Sequence, residues 1–163
     1  MEFWDSYDKS GRKTGGTLVR GEPIPAGQYH LVSCVVVRHA DGDFLLMRRA
    51  PEKKHYPNIW EIGVGGAVIR GESAAECARR ELQEEAGISC GSWSYLGRYV
   101  EMDTIYEGFI CITDRPKDQI RLQPGETSDY RWLSQREFVE FFDSNDCIER
   151  FKRRLGTYVD TLR

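Results

Sequence analysis

Glu81, Glu84 and Glu85 stand at i, i+3 and i+4 of a stretch that reads as helix, a spacing that sets three carboxylates on one face of a single turn. Like charges so placed repel. Arg80 can pair with Glu76 or Glu84, but no basic residue lies between the three acids, so the face calls for positive charge from elsewhere. Hard divalent cations such as Mg2+ or Mn2+ take oxygen ligands at about 2.0–2.2 Å and keep coordination places for water and phosphate oxygens. The chemistry these residues predict is therefore metal-assisted work on phosphates, set against the plainer reading of a solvated acidic helix surface.

The elements that must hold this face are legible around it. Ser73-x-x-Glu76 has the form of a capping box and Gly87 that of a left-handed stop, so the helix is expected from Ser73 to about Glu85. Ala75, Ala78 and Leu82 supply its core-facing stripe. Upstream, Tyr29 to Arg38 reads as a buried strand, Asp41-Gly42 as a hairpin turn and Phe44 to Arg48 as the partner strand. Trp60 to Ile69 reads as one glycine-rich strand whose backbone a ligand can approach closely. Downstream, strands are expected at Trp93–Val100, Thr104–Thr113 and Tyr130–Leu133, with a polar loop from Arg115 to Asp129. Ser134-x-x-Glu137 opens another helix, and Ile148, Phe151, Leu155, Tyr158 and Leu162 mark the apolar stripe of a last one. The expectation is an α/β fold: one domain over residues 1–163, with a mixed sheet between helices and residues 1–28 as an N-terminal ribbon packed on it.

The three glutamates belong to a longer pattern. From Gly66 the order is five residues, Glu72, seven residues, Arg80-Glu81-Leu82, one residue, Glu84-Glu85, one residue and Gly87-Ile88. Seven fixed identities at about one chance in fifteen each give an accidental match on the order of 10⁻⁸ per starting point. The pattern resembles the Nudix box, here residues 66–88. That resemblance implies a Nudix-type α/β/α sandwich and hydrolysis of a diphosphate linkage. The substrate would be a small molecule, a nucleoside diphosphate linked to another moiety or a related organic pyrophosphate. It further implies Mg2+ or Mn2+ held by Glu81, Glu84, Glu85 and the backbone carbonyl of Gly65. Arg80 would orient the glutamates and Glu72 would tie loop to helix. The general base is not fixed by the sequence: Glu84, Glu85 and Glu126 are all candidates.

Outside the box the chain is similar to the isopentenyl-diphosphate isomerase-like branch of the same superfamily. The likeness runs through Trp4-Asp5-x-x-Asp8, Tyr29-His30-Leu31, Arg48-Arg49-Ala50-x-x-Lys53-Lys54, Pro57-x-x-Trp60 and Asp129-Tyr130-x-Trp132. It implies that Arg49 and Lys53 grip substrate phosphates. His30 matches a metal-binding histidine of the isomerases, though a lone histidine opening an apolar strand reads first as a packed one. The isomerases carry a catalytic cysteine followed by Gly-His where this chain has Gly65-Gly66-Ala67, so a proton donor is missing and hydrolysis is favoured. Isomerisation, or a sensor that binds nucleotides without turnover, are the alternatives. Trp60, Tyr99, Tyr106 and Phe109 could stack a base, but aromatics on strands are more often core.

Composition narrows the classes. The 23 basic and 26 acidic residues nearly cancel, so no footprint for a nucleic acid polymer or anionic membrane is visible and an anionic substrate must be met locally. No apolar run approaches the roughly 20 residues of a membrane span. The opening Met1-Glu2-Phe3-Trp4-Asp5 lacks signal-peptide character. Cys34, Cys77, Cys90, Cys111 and Cys147 are odd in number and scattered, as suits reduced thiols of a cytoplasmic protein. A homodimer is left open.

Overall fold

The computed structural model describes residues 1–163. Its strands are β1 (Phe3–Tyr7), β2 (Lys13–Val19), β3 (His30–His39), β4 (Phe44–Arg49), β5 (Trp60–Ile62), β6 (Val64–Ala67), β7 (Ser92–Glu101), β8 (Thr104–Thr113) and β9 (Thr127–Leu133). The helices are α1 (Ala74–Ala86), α2 (Gln135–Asp143) and α3 (Glu149–Asp160), with a short 3-10 turn at Lys117–Gln119.

β1 and β2 form the N-terminal ribbon, and the other seven strands make one mixed sheet. Its spine runs β5-β4-β3-β8-β7, with β6 paired to β3 and β9 to β4. β3 and β8 run parallel over their whole length, from His30 opposite Thr104 to His39 opposite Thr113. Alternation along the strands builds two cores. Val35, Val37, Leu45 and Met47 face α1 through Ala78, Leu82 and Ala86. Their neighbours Val36, Phe44 and Leu46 face Phe138, Phe141, Phe151, Leu155 and Val159 of α2 and α3. Strand period two and helix period near 3.6 thus yield the α/β/α sandwich. The ribbon is seated by Tyr7 beside Leu31 and Val68 in a third cluster.

Three local expectations need correction. β3 and β4 share a ladder pair only at Arg38 and Phe44, so the Asp41-Gly42 turn opens into two splayed strands instead of a full hairpin. The Trp60–Ile69 segment fills the gap as two strands, β5 on β4 and β6 on β3. The break is Gly63, at φ 65°, whose missing Cβ would overlap the Val35 carbonyl; only glycine takes this turn and this contact together. Finally, the Arg115–Asp129 loop contains the 3-10 turn, and β9 begins three residues before Tyr130.

Candidate active site

α1 carries the acidic face, and both of its ends are fixed by its own sequence. The Ser73 side chain accepts from Glu76 N–H while Glu76 reaches back to Ser73 N–H, and Gly87 at φ 69° closes the helix on the carbonyls of Gln83 and Leu82. Such a cap contributes about 1 kcal/mol. Glu76 is therefore occupied, and Arg80 turns elsewhere than towards it.

Arg80 is the hub of the loop-helix unit. It grips Glu72 through two hydrogen bonds of 2.9 and 3.0 Å, donates to Glu81 at 2.6 Å and Glu84 at 3.3 Å, and reaches the Ala67 carbonyl at 3.2 Å. These contacts raise its pKa further still, the Glu72 bonds first. The Glu84 contact is the one the spacing predicts; the contact with Glu81, the residue adjacent in sequence, is not, so two of the three acids on this face share one guanidinium. The third, Glu85, is 8% exposed. It makes no ion pair, and burial first, then the neighbouring charges of Glu81, Glu61 and Glu126, push its carboxyl well above the ordinary range. Burial likewise raises Glu81, partly offset by Arg80.

A polar cleft of about 350 Å³ collects the sequence candidates: Gly65, Glu81, Glu84, Glu85 and Arg80 line it with Arg49, Lys53 and Glu126. Lys53 is ion-paired with Glu126. Arg49 lies across Glu61, its Nη1 at 3.1 Å from both carboxylate oxygens. β6 forms the floor. A Cβ on Gly65 would stand 2.6 Å from the Ser33 carbonyl, and one on Gly66 would overlap the Glu81 carboxylate. As they stand, with Glu81 and Glu84 bonded to Arg80, no three carboxylate, imidazole or thiol groups converge closely enough to hold a cation.

A divalent cation nevertheless fits these residues. A desolvated carboxylate ringed by three others and lacking a partner is costly to keep charged, and the all-oxygen donors around it are those that hard cations choose. His30 is not in this cleft. It stacks on Trp4 at 4.5 Å and pairs through Nε2 with Thr104 at 2.7 Å, and burial lowers its pKa.

A second cavity of about 550 Å³ adjoins the cleft and shares Arg20, Arg49, Gly65, Gly66 and Ala67 with it. Sequence reading missed its principal groups: Glu61, Arg150 and Arg154. Glu61 sits one residue after Trp60, and the two arginines stand at i and i+4 beside the apolar stripe of α3. That like-charged pair was the available signal. Cys34, paired in register with Gly65, also lines this cavity, while Cys77 packs at 3.5 Å against the Gly66 and Ala67 carbonyls and burial pushes its thiol up to about 12. Of the aromatics considered for stacking, Tyr106 lines it; Trp60 and Phe109 pack against the cores.

A mixed sheet sandwiched by helices, with a loop-helix-loop presenting buried carboxylates over a glycine floor, defines the class: a diphosphate hydrolase of Nudix architecture. Residues 28–155 match the NUDIX domain model, and the chain belongs to the Nudix hydrolase family. Members act on small-molecule diphosphate compounds and generally use divalent metal ions. An uncharacterized Nudix hydrolase of Listeria monocytogenes is 29% identical over 153 residues, covering 93% of this chain and 90% of its own. A Deinococcus radiodurans Nudix hydrolase is 30% identical, covering 76% and 74%. The isopentenyl-diphosphate Delta-isomerase of Halorhodospira halophila is 35% identical over 88 residues, about half of each chain. The fold matches the crystal structure of DR0079 from Deinococcus radiodurans with TM-score 0.74 at 22% identity, covering 99% of this chain and 98% of that one. No helix is long and apolar enough to cross a membrane.

Proposed function

We propose that this enzyme hydrolyses the diphosphate linkage of a nucleoside diphosphate linked to another moiety, or of a related organic pyrophosphate, with Mg2+ or Mn2+ held by Glu81, Glu84, Glu85 and the Gly65 carbonyl. The observation that carries this reading is Glu85, buried and unpaired among three other carboxylates beside a cationic rim. When bound, the metal neutralises the diphosphate and lowers the pKa of water near the reacting phosphorus.

The chain's own groups do the rest. Arg80 fixes the rotamers of Glu81 and Glu84 by charge-assisted hydrogen bonds and, through Glu72, ties α1 to the loop before it. Gly66 leaves room for the Glu81 carboxylate against the β6 backbone. Arg49 and Lys53 line the same cleft and would hold phosphate oxygens of the substrate by their positive charge. Glu126, anchored by Lys53, accepts the proton of the attacking water. Glu84 is the other exposed carboxylate available for that task.

The test is a phosphate-release screen over nucleotide sugars, dinucleoside polyphosphates, oxidised nucleotides and prenyl diphosphates, with Mg2+, Mn2+ or chelator. Turnover of at least one compound, lost on chelation, is expected. Turnover undiminished by chelation overturns the metal-dependent reading, and the absence of turnover across the panel overturns the substrate class.

A further inference from the structure

Beyond the cleft, the second cavity carries more positive charge than its carboxylates can match. Glu61 is the acid on its wall, and it serves two guanidiniums: Arg49 at 3.1 Å and Arg150 at 3.7 Å. Glu101, outside this cavity, serves Arg153, also outside it, at 2.6 Å and only distantly Arg154, at 3.9 Å. Two carboxylates thus face four guanidiniums, and the pair left short, Arg150 and Arg154, sit one turn apart on α3 with both side chains lining the cavity. Like charges at i and i+4 oppose the helix that carries them.

Their hydrogen bonds are also incomplete. The Arg154 side chain is 8% exposed, and its Nε and Nη2 are desolvated without a hydrogen-bond partner. Arg150 Nε is in the same state. Each such group costs free energy until an acceptor arrives. Aromatic rings position both guanidiniums without discharging them: Arg154 lies 3.3 Å from the Tyr106 ring centre and Arg150 4.7 Å from that of Tyr56.

We propose that Arg150 and Arg154 form a second anion site, and that the preferred substrates are organic diphosphates whose far moiety carries an additional phosphate monoester. A surplus of two positive charges suits a group of charge about −1.5 to −2 at neutral pH, and the cavity runs into the diphosphate cleft through Arg49 and the Gly65–Ala67 backbone. This deepens the hydrolytic reading and rests on it for the word substrate, but the binding site itself is testable without metal or turnover.

The experiment is calorimetric titration in chelator with two product-sized pairs: AMP against adenosine 3′,5′-bisphosphate, and glucose 1-phosphate against glucose 1,6-bisphosphate. At least one bisphosphate is expected to bind tenfold or more tightly than its monophosphate. That advantage should vanish in Arg154→Gln and in Arg150→Gln, the latter at a more exposed and more tolerant position. It should persist in Arg136→Gln, which removes an equal charge from the exposed face of α2. Equal binding within both pairs, or an advantage that survives both cavity variants, overturns the site. Either result is read apart from hydrolysis, which the metal-dependent screen measures separately.

Discussion

The carboxylate of Glu81 lies directly against the backbone of Gly66, so closely that a Cβ at position 66 would overlap its carbon and both oxygens. A helix and a strand are thereby brought into contact at the point where the chemistry is proposed to occur. The clash is with the far end of a flexible side chain, so the fold can yield at little cost while the carboxylate cannot stay in place. Gly66→Ala should leave the thermal midpoint within a few degrees of wild type and lower kcat/KM at least tenfold. A variant that unfolds would show that the clash is not relieved by the side chain alone, and a folded one with wild-type turnover would show that Glu81 does not depend on this floor.

Lys53 and Glu126 form one ion pair at the cleft rim, but they are assigned different work. Lys53→Ala should mainly raise KM, since it removes a proposed phosphate grip and no proposed metal ligand. Glu126→Gln should lower kcat with little change in KM. Steady-state kinetics on the best substrate of the screen separate the two. Unchanged KM in the first variant returns Lys53 to a surface role, and full activity in the second leaves Glu84 or Glu85 as the base.

His30 supplies a pH dependence. Burial depresses its folded-state pKa below the ordinary 6.5, so the neutral ring is the form that folding favours. Its contribution is therefore present above pH 6.5 and is lost as the pH falls through the depressed value. Thermal midpoints of wild type and His30→Gln, compared from pH 7.5 down to 5, should show wild type losing stability faster towards the acid end. Parallel curves would place the acid sensitivity elsewhere.

The chain should not interconvert isopentenyl and dimethylallyl diphosphate, although half of it is 35% identical to an isomerase. Double-bond migration needs acid/base groups on both sides of the bound alkene, and Gly65 offers no side chain. The structure does place Cys34 beside Gly65 in the adjoining strand, which the sequence separation of the two concealed. Burial pushes that thiol up, leaving it a poor thiolate. Incubation of isopentenyl diphosphate with Mg2+ and enzyme should yield no allylic product; allylic product at the rate of an authentic isomerase would refute this.

Much of the fold was legible because local chemistry agreed with the global arrangement. The capping box and Gly87 delimit α1 to within a residue, and β8 falls on the expected bounds. What escaped is what depends on partners distant in sequence. The Trp60–Ile69 segment looks like one strand because its residues are extended on both sides of Gly63, and only the separate demands of β3 and β4 show that it must turn there. The eight candidate residues named from sequence line one cleft, and what differs from expectation is part of the pairing among their neighbours. Arg80 meets Glu84, as its spacing predicts, but it also holds the adjacent Glu81 and, because the loop carrying Glu72 folds back, takes that carboxylate instead of Glu76. Arg150 and Arg154 were passed over because an amphipathic stripe draws attention to its apolar members.

The central claim is that a divalent cation at Glu85 enables hydrolysis, and it is tested most directly by turnover of the best substrate against Mg2+ concentration in wild type and Glu85→Gln. The substitution replaces a buried, unpartnered carboxyl with a neutral group of the same size, so the metal-free variant should be at least as stable as wild type. Its kcat/KM should fall more than tenfold, with the Mg2+ requirement shifted to higher concentration. A folded Glu85→Gln enzyme with wild-type turnover and an unshifted Mg2+ dependence would contradict the account.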